Sequence, residues 1–291
     1  MKFRYSSLLL PFLLQLIFTH ALTAQEKHSG FILFPQQRLF GRLLADPAEV
    51  QLSARLLMQR NQFAGNMGYS VGLIQFNVRN TPVQIRVEGN TLLVTKIKTP
   101  DFPVQSTDFT VGLPVELQIH WMELKMRMAH ISSHLGDNFN GIDDVNGSID
   151  AFGNEKTYFT VPKKFSREFV EMLAAFTIKG MRVYGGGIWD FHIVRNPSDR
   201  RRPSALTLHY GIERLFLKPG QFIRPYLAVD VKQKKEFSWH VDTNVQGGIT
   251  INNKYLRRMR FAFEWYRGFS SQGQFFRRKE NDLNLMLTFD F

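Results

Sequence analysis

From Gln51 onward, apolar and polar residues alternate in runs of about ten residues that are separated by turn residues. A period of two places successive side chains on opposite faces of a β-strand. Repeated strands of this length are typical of a transmembrane β-barrel. We therefore predict an all-β, antiparallel transmembrane barrel of about twelve strands, within a range of about 10 to 14. The predicted strands are 51–60, 68–78, 83–96, 108–120, 124–134, 165–178, 181–193, 205–217, 221–232, 237–251, 255–267 and 281–291.

The alternation is clearest in the last strand. One face has only apolar residues: Leu283, Leu285, Leu287, Phe289 and Phe291. The other face has the polar residues Asp282, Asn284, Thr288 and Asp290. So apolar an edge would aggregate in water, whereas a closed barrel in lipid requires an apolar exterior. A terminal strand that ends in Phe resembles the signal by which bacterial outer-membrane barrels are recognised for assembly. This resemblance implies the barrel-assembly machinery as a partner and the bacterial outer membrane as the location.

The N-terminal residues predict export. Basic Lys2 and Arg4 precede an apolar block, and small residues follow up to Ala24, which is the layout of a secretory signal peptide. We predict three segments, with 1–24 as the signal peptide, 25–50 as either a periplasmic lead-in or a plug of the lumen, and 51–291 as the barrel. Short connections such as 179–180 are expected on the periplasmic side, with the long ones outside.

Charge and composition limit the kinds of partner that the protein can bind. The chain has no cysteine, which excludes disulfides and thiolate metal sites. The net charge of +12 fits lipopolysaccharide phosphates or nucleic acid, and export favours outer-membrane lipid and excludes nucleic acid. Charged residues of both signs fall on the inward faces, and we expect them to fill a narrow lumen by pairing. They are Lys125, Arg127, Arg167, Glu171, Arg182, Asp190, Glu213, Arg224, Asp230, Arg258, Arg260 and Glu264.

The candidate chemistry lies on the strand at 124–134. Alternation places Leu124 and Met128 on the lipid side together with His130, Ser132 and His134. The next strand continues its outward face to Glu168, at the same depth. A serine hydrolase needs a base beside its hydroxyl and an acid that orients the base, so Ser132, one of the two histidines and Glu168 form a candidate catalytic set. The sequence does not choose between His130 and His134.

Two resemblances bear on this set. His130-Ile131-Ser132 resembles the His-x-Ser of two outer-membrane lipid hydrolase families, phospholipase A and the lipid A 3-O-deacylase, which implies that Glu168 is the acid. Over most of the mature chain, the sequence is identified as a member of the bacterial family known only as domain of unknown function 1207. The family motifs are His130-x-Ser132-Ser133-His134-Leu135-Gly136-Asp137, Phe165-Ser166-Arg167-Glu168 and Tyr184-Gly185-Gly186.

The loop after this strand is rich in oxygen ligands. Asp137, Asp143 and Asp144 lie among glycines and asparagines, a composition that suits calcium and equally suits a solvated loop. The resemblance to outer-membrane phospholipase A, which needs calcium, implies a calcium cofactor. The backbone N–H of Gly136 is a candidate oxyanion donor.

Two functions follow from the sequence. The first is a serine esterase or deacylase that acts on lipid of the outer leaflet. The alternative is a barrel without catalytic activity that serves as a narrow pore or surface scaffold, in which His130, Ser132 and Glu168 are only interfacial polar residues.

Overall fold

The computed structural model describes residues 30–97, 101–136, 164–194, 206–253 and 257–290. Two short 3-10 helices, Lys235–Phe237 and Gly273–Phe275, accompany thirteen strands in these residues. The strands are β1 (Ile32–Leu33), β2 (Leu52–Leu57), β3 (Gln62–Val78), β4 (Thr81–Lys96), β5 (Val104–Ile119), β6 (Met122–Leu135), β7 (Phe165–Ile178), β8 (Met181–Ile193), β9 (Leu206–Leu215), β10 (Ile223–Lys234), β11 (His240–Asn253), β12 (Arg257–Phe269) and β13 (Lys279–Asp290).

Strands β2 to β13 form one closed antiparallel barrel. Each strand pairs with its neighbours in the chain, and β13 pairs with β2 through Phe289 and Leu52 to complete the cylinder. The predicted fold class and strand number are thus confirmed. The strand predicted at 237–251 begins only at His240, because Ser238 and Trp239 have φ angles of 55° and 63°. The predicted signal peptide lies outside the described residues.

The wall alternates as the pattern predicts. Large apolar side chains such as Val111 and Phe263 are exposed on the outer face, whereas their polar neighbours are buried inside. The described residues contain no helix long and apolar enough to cross a membrane.

Strands β1 and β2 lie along the same edge of β3 and are separated by an excursion of the chain into the lumen. Leu33 pairs with Ile74 and Leu52 pairs with Met67, both antiparallel to β3. Residues 35–50, which we call the plug, contact inward-facing side chains of the barrel. Within the plug, Phe40 and Leu43 are buried against Leu173, Ala175 and Tyr184.

Charged and polar side chains of the wall hold the plug backbone. Glu116 accepts hydrogen bonds from the N–H groups of Leu39 (3.0 Å) and Phe40 (3.1 Å) and forms an ion pair with Arg38 (3.1 Å). Arg260 donates to the Leu44 carbonyl at 3.0 Å. These contacts satisfy polar backbone groups that would otherwise be buried without partners. Residues 35–50 thus lie inside the lumen, whereas Ile32 and Leu33 pair with the wall strand β3 and are exposed.

Glycine allows the plug to leave the wall. A Cβ at Gly72, which faces inward, would collide with the carbonyl oxygen and ring of Pro35, where the plug begins. A Cβ at Gly68 would lie 2.8 Å from the backbone nitrogen of Gln51, where the plug ends. Both ends of the plug thus need the close backbone approach that only glycine permits.

Ion pairs occupy the rest of the lumen, as expected from its mixed charges. Glu171 contacts both Lys125 and Arg127 at 3.0 Å. The fully buried His209 contacts Asp230 at 2.7 Å. Arg224 departs from this pattern, because it donates to the exposed carbonyls of Phe216 and Leu217 near a turn.

The plug contacts Glu116 and Glu123 near the turn between β5 and β6, whereas the connection between β12 and β13 lies across the opposite end of the lumen. These residues, 270–278, form what we call the lid, and they reach across to β5 and β6. The N–H of Gly273 donates to Asp108 at 2.8 Å, and the N–H of Gln274 donates to the Ser133 hydroxyl at 3.1 Å. A cavity of about 180 Å³ remains between the plug and the lid.

With both ends covered, the purified protein is expected to show no steady open channel in a planar lipid bilayer. The control combines excision of residues 36–49 with Gly273→Leu, whose side chain would collide with Phe165 and Ser133 and displace the lid. This variant should conduct. A steadily conducting wild-type protein would instead support the pore alternative.

Candidate active site on the outer face

The predicted division of β6 into two faces is observed. Lys125, Arg127 and Ser133 are buried inside the barrel, whereas Met128 and His134 are exposed on the outside. His130 and Ser132 lie on this outer face, two residues apart. Their Cα atoms are therefore roughly 6.5 to 7 Å apart.

Glu168 lies beside His130 on the neighbouring strand. Strand β7 pairs with β6 such that Glu168 is directly opposite His130, and the His130 Nδ1 atom lies 2.8 Å from Glu168 Oε1. An ionised carboxylate only accepts hydrogen bonds, so the proton of the neutral imidazole belongs on Nδ1. The Nε2 atom then carries the lone pair and is the basic nitrogen.

Ser132 is positioned between neighbouring strands with its hydroxyl available. It lies opposite Phe109 of β5 and Ser166 of β7. Among the described residues, its hydroxyl has no hydrogen-bond partner. The side chain is half-buried. An unengaged hydroxyl two residues from a histidine is free to turn towards the histidine ring.

His134 has a different environment from His130. It is exposed, lies opposite Thr107, and packs edge-on against Phe109 with 6.0 Å between ring centroids. Glu168 contacts His130 and not His134 within the described residues. The geometry therefore favours His130 as the base, a choice that the sequence left open.

A third histidine joins this cluster, and sequence alternation missed it. The His192 Nδ1 atom forms a hydrogen bond with the second oxygen of Glu168. Asp190 of β8 faces inward, so strict alternation would also turn His192 inward. However, the register shifts between β7 and β8 at this point, since Glu168 pairs with His192 and Phe169 with Asp190. Such a bulge re-aims a side chain, and here it brings His192 to the outer face.

The inward face of β6 forms hydrogen bonds with the lid. The Ser133 hydroxyl forms a hydrogen bond with Asp108, and Gln274 Nε2 donates to the Ser133 carbonyl at 2.7 Å. Because Ser133 is fixed inward, its neighbour Ser132 must point outward. The lid thus supports the orientation of the candidate nucleophile.

The candidate oxyanion donor is already engaged. The Gly136 N–H donates to the Gln105 carbonyl at 3.0 Å, so it has no free hydrogen for a negatively charged oxygen. The expectation for Gly136 therefore lacks support in this conformation. The expected calcium ligands Asp137, Asp143 and Asp144 lie outside the described residues, and a calcium requirement stays a prediction.

A second group with potential metal ligands lies inside the barrel. Asp46, His209 and Asp230 are close enough together to share a cation. Both nitrogens of His209 contact carboxylates, of Glu171 at 3.2 Å and of Asp230 at 2.7 Å, and Lys232 contacts Asp46 at 2.5 Å. Cationic partners thus already balance these carboxylates, so we interpret the group as an ion-pair network.

The chain is similar to a protein family and, more weakly, to solved structures. A family model described as "Protein of unknown function (DUF1207)" matches residues 16–291. A search of curated proteins found no match. Among solved structures, the β-domain of the Bordetella autotransporter Brka is similar with 10% identity, a TM-score of 0.41, and coverage of 83% of this chain and 97% of that one. LpxR from Salmonella typhimurium has 11% identity, a TM-score of 0.34, and coverage of 79% and 88%.

Proposed function

We propose that this chain, which belongs to the DUF1207 family, is a serine esterase or deacylase of the outer membrane that acts on outer-leaflet lipid. Ser132 is the nucleophile, His130 the general base, and Glu168 the group that orients His130. The observation that carries the proposal is the 2.8 Å contact between His130 Nδ1 and Glu168 Oε1 on the outward face.

This contact supports the tautomer that catalysis requires. A serine hydroxyl is a weak nucleophile until a base accepts its proton. Glu168 holds the proton on Nδ1 and leaves Nε2 of His130 as the acceptor. The carboxylate also stabilises the imidazolium that forms once the proton has moved.

The reaction then proceeds in two balanced halves. The Ser132 oxygen attacks the ester carbonyl carbon while its proton passes to His130 Nε2, which gives a tetrahedral intermediate. The intermediate collapses, the bond to the alcohol oxygen breaks, and the proton on His130 passes to that oxygen. Water repeats the sequence on the acyl-serine and releases the carboxylic acid.

The surroundings of the cluster support lipid as the substrate. Ser132 and His130 are neighbours of the exposed Met128 and Phe109 on the outer wall, where an apolar exterior requires a lipid environment. The polar cluster lies near one end of β6 and β7, at the end where the lid lies. An ester at the membrane interface would therefore meet the cluster, whether it belongs to phospholipid or to lipopolysaccharide.

A fluorophosphonate probe tests this assignment directly. The probe phosphonylates serines that an adjacent base activates, with fluoride as the leaving group. Mass spectrometry of the folded, detergent-purified protein is expected to find the adduct on Ser132. His130→Ala should prevent labelling, whereas His134→Ala should leave it intact. An absence of labelling in the wild type, or loss of labelling in the His134 variant alone, would contradict the proposed roles.

A further inference from the structure

A shallow apolar groove of about 550 Å³ crosses the outer face of β3, β4 and β5. Two features produce it. Gly89 faces outward, and a Cβ built on it would meet nothing within 4 Å. In addition, β2 begins only at Leu52, so Tyr69 and Val71 have no strand partner on that side among the described strands. The lining includes Met67, Tyr69, Val71, Val87, Gly89 and Val111.

The groove and the candidate catalytic cluster lie on one row of paired residues. Gly89 pairs with Val111, and Val111 pairs with His130. His130 in turn pairs with Glu168, and Glu168 with His192. The near end of the groove is therefore only one strand spacing, ~4.8 Å, from His130. The row changes from polar at His192 to apolar at Gly89.

This row also descends along the barrel wall. At the end of the barrel covered by the lid, His192 is one residue from the strand end at Ile193, and His130 is five residues from Leu135. Val111 is seven residues from Val104. The polar end of the row is thus nearest to the covered end of the barrel, and the apolar end lies deeper along the wall.

We infer that this groove binds the acyl chain of the ester whose carbonyl is attacked by Ser132. The inference rests on the proposed function and adds the site that selects the substrate. Two strand spacings and two residues separate Gly89 from Ser132, about 12 Å with ~4.8 Å between strands and ~3.4 Å per residue. A butyryl chain on Ser132 would not reach Gly89 or Met67, which lie beyond Val111, whereas a long acyl chain would.

The direction of the row favours an acyl chain over a second copy of the protein. A lipid ester has a polar group at the membrane interface and a chain that extends towards the bilayer centre. The row presents its side chains in that order. Because lipid tails are as apolar as the wall, the groove contributes close packing and alignment of the ester, not a hydrophobic driving force.

The test fills the groove and compares esters of different length. Gly89→Leu adds a side chain to its floor, and Met67→Trp narrows it from β3. Both variants are expected to lower kcat/KM for a p-nitrophenyl palmitate ester roughly tenfold, as one misfitting group in a pocket does, and to leave the butyrate ester unchanged. The matched control is Gly247→Leu, an outward glycine on β11 with Leu227 Cδ1 at 3.8 Å.

The outcomes separate this inference from the proposed function. If the wild type hydrolyses neither ester, the proposed function is wrong, and the inference that depends on it is wrong as well. If the wild type hydrolyses both but the groove variants leave the palmitate-to-butyrate ratio unchanged, or lower both rates equally, only the inference is overturned. A chain-length effect from Gly247→Leu would also overturn it.

Discussion

Replacing Ser132 with alanine is expected to lower kcat for ester hydrolysis by about a thousandfold or more, since the reaction then lacks its nucleophile. The fold should be unaffected, because the Ser132 hydroxyl has no hydrogen-bond partner among the described residues. The measurement is the rate of acyl release from a detergent-solubilised ester. A difference in gel mobility between unheated and heated samples checks that the barrel is folded.

Ser166→Ala supplies the matched control. Ser166 lies directly opposite Ser132 on β7 and shares the outward face and the depth of Ser132, but it follows no histidine. Its variant should retain wild-type kcat. Retained activity in Ser132→Ala, or a comparable loss in Ser166→Ala, would remove Ser132 from the reaction. An absence of hydrolysis in the wild type would favour the scaffold alternative.

Replacing Glu116 with alanine is expected to release the plug from the lumen. Glu116 is fully buried and binds Arg38 together with the N–H groups of Leu39 and Phe40. Removal of one partner of a buried ion pair costs about 3–5 kcal/mol when the other charge is left without compensation. Arg38 keeps a contact with Glu49 at 3.3 Å, so the lower end of this range is expected. A cost of about 3 kcal/mol raises the population of the released state about a hundredfold.

Thiol labelling measures this release without background, because the chain has no native cysteine. Leu43→Cys places a thiol at a fully buried plug position. It should react with a maleimide about a hundredfold faster in the Glu116→Ala background. Glu116→Gln keeps an acceptor oxygen and should react at an intermediate rate. Equal rates in all three backgrounds would mean that Glu116 does not hold the plug.

The candidate site shows which of its residues the local sequence pattern can predict. The period of two is enough to place His130 and Ser132 on one face, and the single loop between their strands is enough to place Glu168 next to them. The same pattern does not predict the position of His192, because one extra residue at the bulge reverses the alternation. The choice of His130 over His134 also needs the register between β6 and β7, since both histidines share the outward face.

By itself, the sequence determined the barrel, its strand number, the two faces of each strand and most of the outward polar cluster. These features repeat every two residues or depend on neighbouring strands, so local pattern specifies them. The tertiary structure decided that residues 35–50 enter the lumen, that the lid covers it and that His192 faces out. Each of these depends on contacts between residues far apart in the chain, such as Arg260 with Leu44 or Gly273 with Asp108, for which alternation carries no signal.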